Sequence, residues 1–271
     1  MRSEGPKLFL NRGDQLLQPT TRRRFLGALG MGGAIVLLPS VFSACARDTT
    51  ITDPRANRAA LRDHHAGDGG FTLDLSTDIG ILNYAYALEQ LEAAFYTAAL
   101  TSAGYRQLYH VEREVFMDLQ KHEVIHREFF KEVLGLAAIP DISFDDGTVA
   151  SLTADSDVLL RTSQLLEDTG VSAYNGAGKY LTHPENLLVA GKIVSVEARH
   201  AAAIRDIRDG TNGVLFAGDD VVNEAGLDVK AEPDTVVAGV VSLNVVTSPL
   251  SIGTLPDQSK RTADQPAPAP V

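Results

Sequence analysis

Apolar side chains recur at alternating spacings of three and four residues in four long stretches of the chain. This spacing places them on one face of an α-helix, so it predicts helices over about residues 78–100, 105–134, 157–181 and 185–208. Short connections join the first helix to the second and the third to the fourth, whereas residues 135–156 separate the middle two. That connection is too long for a hairpin and long enough to run the length of a bundle. The pattern therefore predicts an all-α four-helix bundle with a long crossover between helices 2 and 3.

Charged side chains interrupt the apolar stripe of every predicted helix, although burying an unpaired charge is unfavourable. A Glu-x-x-His sequence lies on the stripe of the second helix and again on that of the fourth, and one glutamate lies on the stripe of each remaining helix. The six residues are Glu89, Glu123, His126, Glu167, Glu197 and His200. Their position predicts that they meet inside the bundle.

The two halves of the bundle repeat the same chemistry. In the first and third helices a tyrosine follows the stripe glutamate by seven residues, and in the second and fourth a histidine follows it by three. The tyrosines are Tyr96 and Tyr174. The chain therefore looks like one helical hairpin used twice.

Two Glu-x-x-His pairs and two further glutamates are typical of a carboxylate-bridged di-iron or di-manganese centre in a helical bundle. Residues three apart project from one helical face, so both side chains of a pair can approach the same ion. Four carboxylates balance the charge of two divalent cations, and oxygen and imidazole ligands without thiolate suit iron or manganese. The alternative is a buried Glu/His hydrogen-bond network that holds the bundle in register.

Four further residues lie close to the candidate ligands in the sequence. Glu92 lies one turn after Glu89 and could be the ligand instead, or could support the ligands; Glu89 is favoured because only Glu89 precedes a tyrosine by seven residues. Tyr96 and Tyr174 are expected in the core, where they either hydrogen-bond a ligand or simply pack. His122 lies on a different face from Glu123 and is expected in solvent or beside the ligands.

The first 45 residues have the features of an export signal. "TRRRFL" (21–26) closely resembles the twin-arginine motif, and an apolar stretch with small residues at its end follows. Gly, Ala and Pro39 make that stretch a poor permanent membrane anchor. "VFSAC" resembles a lipidation sequence that ends at Cys45, with Phe42 in place of the usual Leu, while "ACA" also suits ordinary cleavage. We therefore expect a twin-arginine signal peptide over 1–45, with lipidation at Cys45 favoured.

The remainder of the chain divides by composition. Residues 46–74 are polar and contain Gly and Pro, so they are predicted as a flexible linker before the bundle at 75–210. Residues 211–258 form a C-terminal extension in which Pro233 could begin a short helix, although the valines that follow equally suit a strand. Residues 259–271 are Pro-rich and predicted to be disordered.

The charge of the chain argues against nucleic acid as a partner. The formal net charge is −11, and residues 46–271 carry 18 basic and 33 acidic side chains. Such a surface repels a phosphate backbone. Cys45 is the only cysteine, so no intrachain disulfide can form.

Three segments, "ILNYAYALEQLEAAFY", "HEVIHREFF" and "VEARHAAAI", make residues 75–210 resemble the ferritin-like superfamily. Within it they look most similar to exported, desiccation-related ferritin-like domain proteins. The resemblance implies a ferritin-like four-helix bundle whose metal positions match the six residues above. It also implies two Fe or two Mn ions that act on dioxygen, peroxide or Fe²⁺ in oxidative-stress protection. No rubredoxin-like cysteine cluster is present, and the linker and extension are unlike a compact cage subunit.

Three functions follow as expectations. The leading one is an exported di-metal oxidoreductase of ferroxidase, peroxidase or catalase type, folded and loaded with metal before the twin-arginine machinery exports it to the periplasm or cell envelope. The second is a non-catalytic envelope scaffold or stress protectant with a structural or degenerate metal site. The third is an interaction module that uses residues 211–260. Membrane contact is expected only through a lipid anchor, and oligomeric states above the monomer stay open.

Overall fold

The computed structural model describes residues 71–210 and 214–260, apart from the side chain of Gln258. The predicted signal peptide with Cys45, residues 46–70 of the predicted linker and residues 261–271 of the tail lie outside the described residues. The α-helices of the described part are α1 Asp78–Ala99, α2 Ala103–Gln107, α3 His110–Leu134, α4 Asp146–Ser151, α5 Ser156–Ala177, α6 Pro184–Asp209 and α7 Pro233–Ser242.

The four long helices α1, α3, α5 and α6 form the bundle. Helix α1 packs along α3, and α5 packs along α6, so the two predicted hairpins face each other. Most of α1 is buried because the crossover and a small sheet cover the side that its partner helices leave free. Together with the long connection between α3 and α5, this arrangement confirms the predicted all-α bundle.

The predicted second helix is wrong at its beginning. The sequence pattern gives one helix over 105–134, but the structure divides it into α2 and α3 at Leu108 and Tyr109, whose backbones are extended. The Leu108 side chain is buried. The Tyr109 amide donates to Glu112 Oε2 at 2.7 Å, which caps the new helix. Packing and capping therefore override the continuous helical pattern.

The predicted linker differs from the structure at its last four residues. They form β1 (Phe71–Asp74), which pairs in parallel with β2 (Leu250–Thr254) of the C-terminal extension. Phe71 and Leu73 are buried in the core. Phe71, Leu73 and Leu75 alternate with polar residues, a pattern that suits a strand, but the segment is short and its partner lies almost 180 residues later, so the pairing cannot be read locally.

Buried polar side chains of α1 fix the crossover. Asn83 Oδ1 accepts from the Ile139 amide at 2.7 Å, and Gln90 Oε1 accepts from the Ile142 amide at 2.7 Å. These bonds satisfy backbone amides that helices cannot satisfy in this irregular stretch. They hold the crossover against the helix that carries Glu89.

The C-terminal extension packs on α5. Pro233 begins α7, and just before it the Ala231 amide donates to the Ser172 carbonyl at 2.9 Å. A Cβ at Gly176 would lie 1.8 Å from the Ala231 carbonyl oxygen, so only glycine permits this approach. In the described ranges, no helix has the length and apolarity needed to cross a membrane.

Candidate metal centre

All six sequence-predicted side chains meet at the middle of the bundle. Helix α1 supplies Glu89, α5 supplies Glu167, and α3 and α6 each supply one Glu-x-x-His pair. The four glutamates are 0% exposed. The His200 side chain is 4% exposed and that of His126 is 12% exposed.

The first group of possible ligands surrounds His126. Its Nδ1 lies 2.9 Å from Glu197 Oε1, 3.3 Å from Glu89 Oε2 and 3.5 Å from Glu123 Oε2. One ligand atom from each of these four residues lies within 4.8 Å of the others. These distances leave room for a single cation among the four side chains.

The second group surrounds His200. Its Nδ1 lies 2.8 Å from Glu123 Oε1, 3.5 Å from Glu167 Oε2 and 3.7 Å from Glu197 Oε2. One ligand atom from each of these four residues lies within 4.8 Å of the others. Glu123 and Glu197 belong to both groups, so the two groups form one continuous cluster with two shared carboxylates.

The donor atoms of the cluster fit a pair of cations. Among the described residues, Glu89 Oε2, both carboxylate oxygens of Glu123, Glu167 and Glu197, and Nδ1 of each histidine are buried and make no hydrogen bond of good geometry, although each Nδ1 lies within ion-pair distance of carboxylates. Burying so many polar atoms without well-formed hydrogen bonds is costly. Cations bound to carboxylate oxygen and imidazole nitrogen would satisfy them, and this donor set suits iron or manganese.

Protonated histidines and ionised carboxylates balance one another's charge among the side chains of the cluster. Burial opposes protonation of the imidazoles, but contacts with Glu123 and two further carboxylates outweigh it and raise the pKa of both His126 and His200 to about 12. Burial also opposes ionisation of Glu123, yet the two histidines lower its pKa to about 2. Burial raises the pKa of Glu167 to about 8 and that of Glu89 well above its ordinary range. Without metal, protons therefore supply the positive charge.

Tyr96 and Tyr174 each lie close to the candidate ligand glutamate of the other helical hairpin. The Tyr174 hydroxyl on α5 donates a short hydrogen bond to Glu89 Oε1 on α1. Tyr96 on α1 is fully buried, and after burial itself the charge of Glu167 on α5 is the largest cause of its raised pKa. Each tyrosine therefore lies beside the glutamate of the other half.

His122 lies beside a candidate ligand. Its Nδ1 lies 2.9 Å from Nε2 of His200, and the two ring planes are 7° from parallel. The Nδ1 atom of His200 therefore faces the carboxylates of the cluster, and its Nε2 atom faces His122, which is exposed. A partner on the outer nitrogen fixes the orientation of a ligating imidazole. The pattern left open whether His122 lies in solvent or beside the ligands, because that depends on how α3 and α6 pack.

Glu92 stands beside the two groups without belonging to either. It is 3% exposed, and a Cβ at Gly170 on α5 would lie 3.1 Å from Glu92 Oε1. Gly170 was not identified from the sequence. The internal repeat could have identified it, because Gly170 follows Glu167 by three residues, as Glu92 follows Glu89.

Comparison with known proteins agrees with this geometry. Residues 77–209 match the family model described as a ferritin-like domain. A protein of Streptomyces cellulosae described as a beta-lactamase is 39% identical over 95 residues, which are 33% of this chain and 30% of that protein. The chain thus covers less than a third of that relative's length. The family match supports the ferritin-like superfamily, and the buried Glu/His cluster is compatible with a di-metal site.

Proposed function

We propose that this protein is an exported member of the ferritin-like superfamily that binds a carboxylate-bridged pair of iron or manganese ions. The observation that supports the proposal is the sharing of two carboxylates, Glu123 and Glu197, between two Glu/His groups. A site for a single ion would need only one Glu/His group. Two Glu/His groups that share carboxylates suit two metal ions bridged by those carboxylates.

Each of the six side chains has a role in this proposal. Glu123 and Glu197, which belong to both groups, would contribute to holding both ions; Glu89 and His126 would help hold the ion of the first group, and Glu167 and His200 that of the second. A bound pair of iron or manganese ions would supply redox chemistry, passing electrons to dioxygen or peroxide and accepting them from peroxide or Fe²⁺. The protein supplies a centre whose carboxylates are buried from water and a Tyr174 hydroxyl that fixes Glu89.

Export and stress protection are further parts of the proposal. The twin-arginine motif and the lipidation sequence at Cys45 support a location in the periplasm or cell envelope. Similarity to desiccation-related proteins in the segments around Glu89, Glu123 and Glu197 supports a role in oxidative stress. Cellular fractionation of the wild type and of an Arg22→Lys, Arg23→Lys, Arg24→Lys variant tests export. Unchanged envelope localisation of that variant would count against the twin-arginine route.

A non-catalytic role is the second candidate, and the burial of the centre is equally consistent with it. All four glutamates are 0% exposed, which suits a structural metal pair as well as a protected reactive one. Chelation would then lower the melting temperature, while the loaded protein would turn over neither peroxide nor Fe²⁺. Measurable turnover would reject this candidate.

The similarity to a protein described as a beta-lactamase covers 30% of that protein, so we do not carry its described activity over to this chain. Serine enzymes of that class depend on a Ser-x-x-Lys sequence that carries the nucleophile. The 271 residues contain no Ser-x-x-Lys sequence. We therefore base the function on the Glu/His centre.

Elemental analysis of the purified protein, together with Mn²⁺ and Fe²⁺ titration, tests the proposal. We expect about two ions per folded chain, as two groups with shared carboxylates require. Glu132, exposed on α3, provides the matched control, because Glu132→Gln changes an acid on a ligand-bearing helix without touching the centre. A folded wild type that binds neither iron nor manganese would refute the metal centre.

A further inference from the structure

The internal repeat is asymmetric at one pair of positions beside the metal centre. Three residues after its candidate ligand, α1 carries Glu92 while α5 carries Gly170. Both helices carry a glutamate and then a tyrosine seven residues later. One half has therefore an additional carboxylate where the other half has no side chain.

These two positions face each other across the bundle. A Cβ on Gly170 would lie 3.1 Å from Glu92 Oε1 and 3.6 Å from Glu197 Oε2. The first distance is tighter than ordinary packing, so a methyl group at residue 170 would push against the Glu92 carboxyl group. The missing side chain on α5 thus provides the space that the Glu92 carboxyl group occupies.

The burial of Glu92 is unfavourable for its charged form. Its side chain is 3% exposed and lies beside a cluster that already contains four buried glutamates. Burial, and then the charges of Glu197 and Glu123, raise the pKa of Glu92. Arg205, a buried cation of the neighbouring α6, is engaged by Asp168 and Asp220. A fifth buried carboxyl group is unfavourable for the metal-free fold, and cations in the centre would reverse that effect.

We propose that Glu92 is an additional carboxylate of the metal centre that strengthens cation binding, and that Gly170 is the residue that admits it. This inference rests on the proposed metal centre. It assigns to Glu92 a direct electrostatic or ligating contribution, which the two Glu/His groups alone do not require. It also explains why α5 lacks a side chain at the position equivalent to Glu92.

Isothermal titration of the purified full chain with Mn²⁺ tests the proposal in four variants, Glu92→Gln, Glu92→Asp, Gly170→Ala and Glu92→Gln/Gly170→Ala. We expect Glu92→Gln to weaken Mn²⁺ binding about ten- to a hundredfold, as loss of a group that supports a metal site does. Glu92→Asp keeps the charge and should bind Mn²⁺ more tightly than Glu92→Gln. Gly170→Ala should weaken binding by displacing Glu92, and should weaken it no further when Glu92 is already Gln.

A second measurement separates this role from simple packing. Glu92→Gln removes a buried carboxyl group, so the metal-free variant should melt at or above the temperature of the metal-free wild type. Higher metal-free stability combined with weaker Mn²⁺ binding is a result that loss of packing would not produce. Gly191→Ala is the matched glycine control, because it lies on α6 with nothing within 4 Å of its added Cβ, and its Mn²⁺ affinity should equal that of the wild type.

The outcomes distinguish this inference from the proposed function. Wild-type Mn²⁺ affinity in Glu92→Gln, with two ions bound, would overturn the role of Glu92 and leave the metal centre intact. If the loss of Mn²⁺ affinity in the double variant equals the sum of the losses in Glu92→Gln and Gly170→Ala, Gly170 is not the residue that admits Glu92. A folded wild type without Mn²⁺ or Fe²⁺ binding would overturn the proposed centre and this inference with it.

Discussion

Glu123 and Glu197 differ from the other candidate ligands because each approaches both imidazoles. Glu123 lies 3.5 Å from His126 and 2.8 Å from His200, and Glu197 lies 2.9 Å and 3.7 Å from the same two residues. Glu89 belongs only to the group around His126. Substitutions at Glu123 and Glu89 should therefore affect metal binding differently.

We expect Glu123→Gln to disturb both metal positions and Glu89→Gln only one. Elemental analysis after loading should give well below one ion per chain for the first variant and about one for the second, because a lost bridging charge weakens both positions. Circular dichroism should show both variants folded. Equal stoichiometries in the two variants would contradict the sharing of Glu123 by the two groups.

At the scale of secondary-structure elements, the N-terminus of α1 is tied to the connection between α5 and α6. The Asp78 carboxylate accepts from the Thr182 and His183 amides at 2.8 and 3.1 Å, and from Asn186 Nδ2 at 2.8 Å. It also lies in the first turn of α1, where the helix favours a negative charge. This contact sets the position of the helix that carries Glu89.

Asp78 should make an acid-sensitive contribution to stability. Partial burial opposes its ionisation, but hydrogen bonds from Asn186, Thr182 and His183 outweigh burial and lower its pKa. A lowered carboxyl pKa stabilises the fold above the ordinary value of about 4 and loses that effect as the pH falls through the folded-state pKa. We expect Asp78→Asn to cost about 1 kcal/mol at pH 7.

Urea unfolding at pH 7 and pH 3 checks this expectation. The difference in the free energy of unfolding between the wild type and Asp78→Asn should be smaller at pH 3 than at pH 7. Asp157, an exposed acid paired with Arg161 within α5, is the matched control, and Asp157→Asn should change stability by less than about 0.5 kcal/mol. If that difference in the free energy of unfolding is the same at both pH values, the charge of the Asp78 carboxylate does not contribute to stability.

At the scale of the whole molecule, Arg205 joins the bundle to the C-terminal extension. Its guanidinium group, 2% exposed, donates to Asp168 on α5 at 2.8 and 2.7 Å and to Asp220 of the extension at 3.1 and 2.7 Å. It also donates to the Leu215 carbonyl at 3.1 Å. The extension therefore packs on the bundle, so a deletion of the extension would also disturb the fold.

Removing Arg205 should loosen the extension. We expect Arg205→Ala to lower the free energy of unfolding by about 2 kcal/mol, less than for a fully buried pair because Asp220 is 61% exposed. Arg205→Lys should recover only part of this loss, since lysine cannot make the paired contacts. Urea unfolding and limited proteolysis near residues 214–229 measure both effects. Arg199→Ala, exposed on the same helix, should match the wild type, and an Arg205→Ala variant as stable as that control would contradict the prediction.

The metal-free molecule should lose stability as the pH rises. The raised pKa of Glu167, about 8, means that the fold holds a proton between about pH 4.5 and 8 that the unfolded chain releases. The raised pKa values of His126 and His200 act in the same direction above about pH 6.5. Each such proton contributes a slope of about 1.4 kcal/mol per pH unit.

Urea unfolding between pH 5.5 and 7.5 tests this dependence. The free energy of unfolding of the chelated protein should fall across this range, whereas the Mn²⁺-loaded protein should not lose stability, because bound cations replace the protons. Flat stability of the chelated protein would contradict the charge balance described for the centre.

The sequence by itself determined the four long helices, apart from the break at Leu108 and Tyr109, and the six side chains that meet inside them. Glu197 and His200 could be identified because helical spacing is a local property, and because a charge on an apolar stripe must find a partner. The repeat of Glu, Tyr and Glu-x-x-His supplied the second half of the centre without reference to any contact between helices.

Only the tertiary structure decided how these residues share space. That Glu123 and Glu197 serve both groups, that His122 contacts His200, and that Gly170 admits Glu92 all depend on the packing of one helix against another. The β1–β2 pair and the Arg205 contacts likewise join segments that are distant in the sequence. Periodicity specifies the face on which a side chain lies, but side chains from different helices meet at distances that only the assembled fold sets.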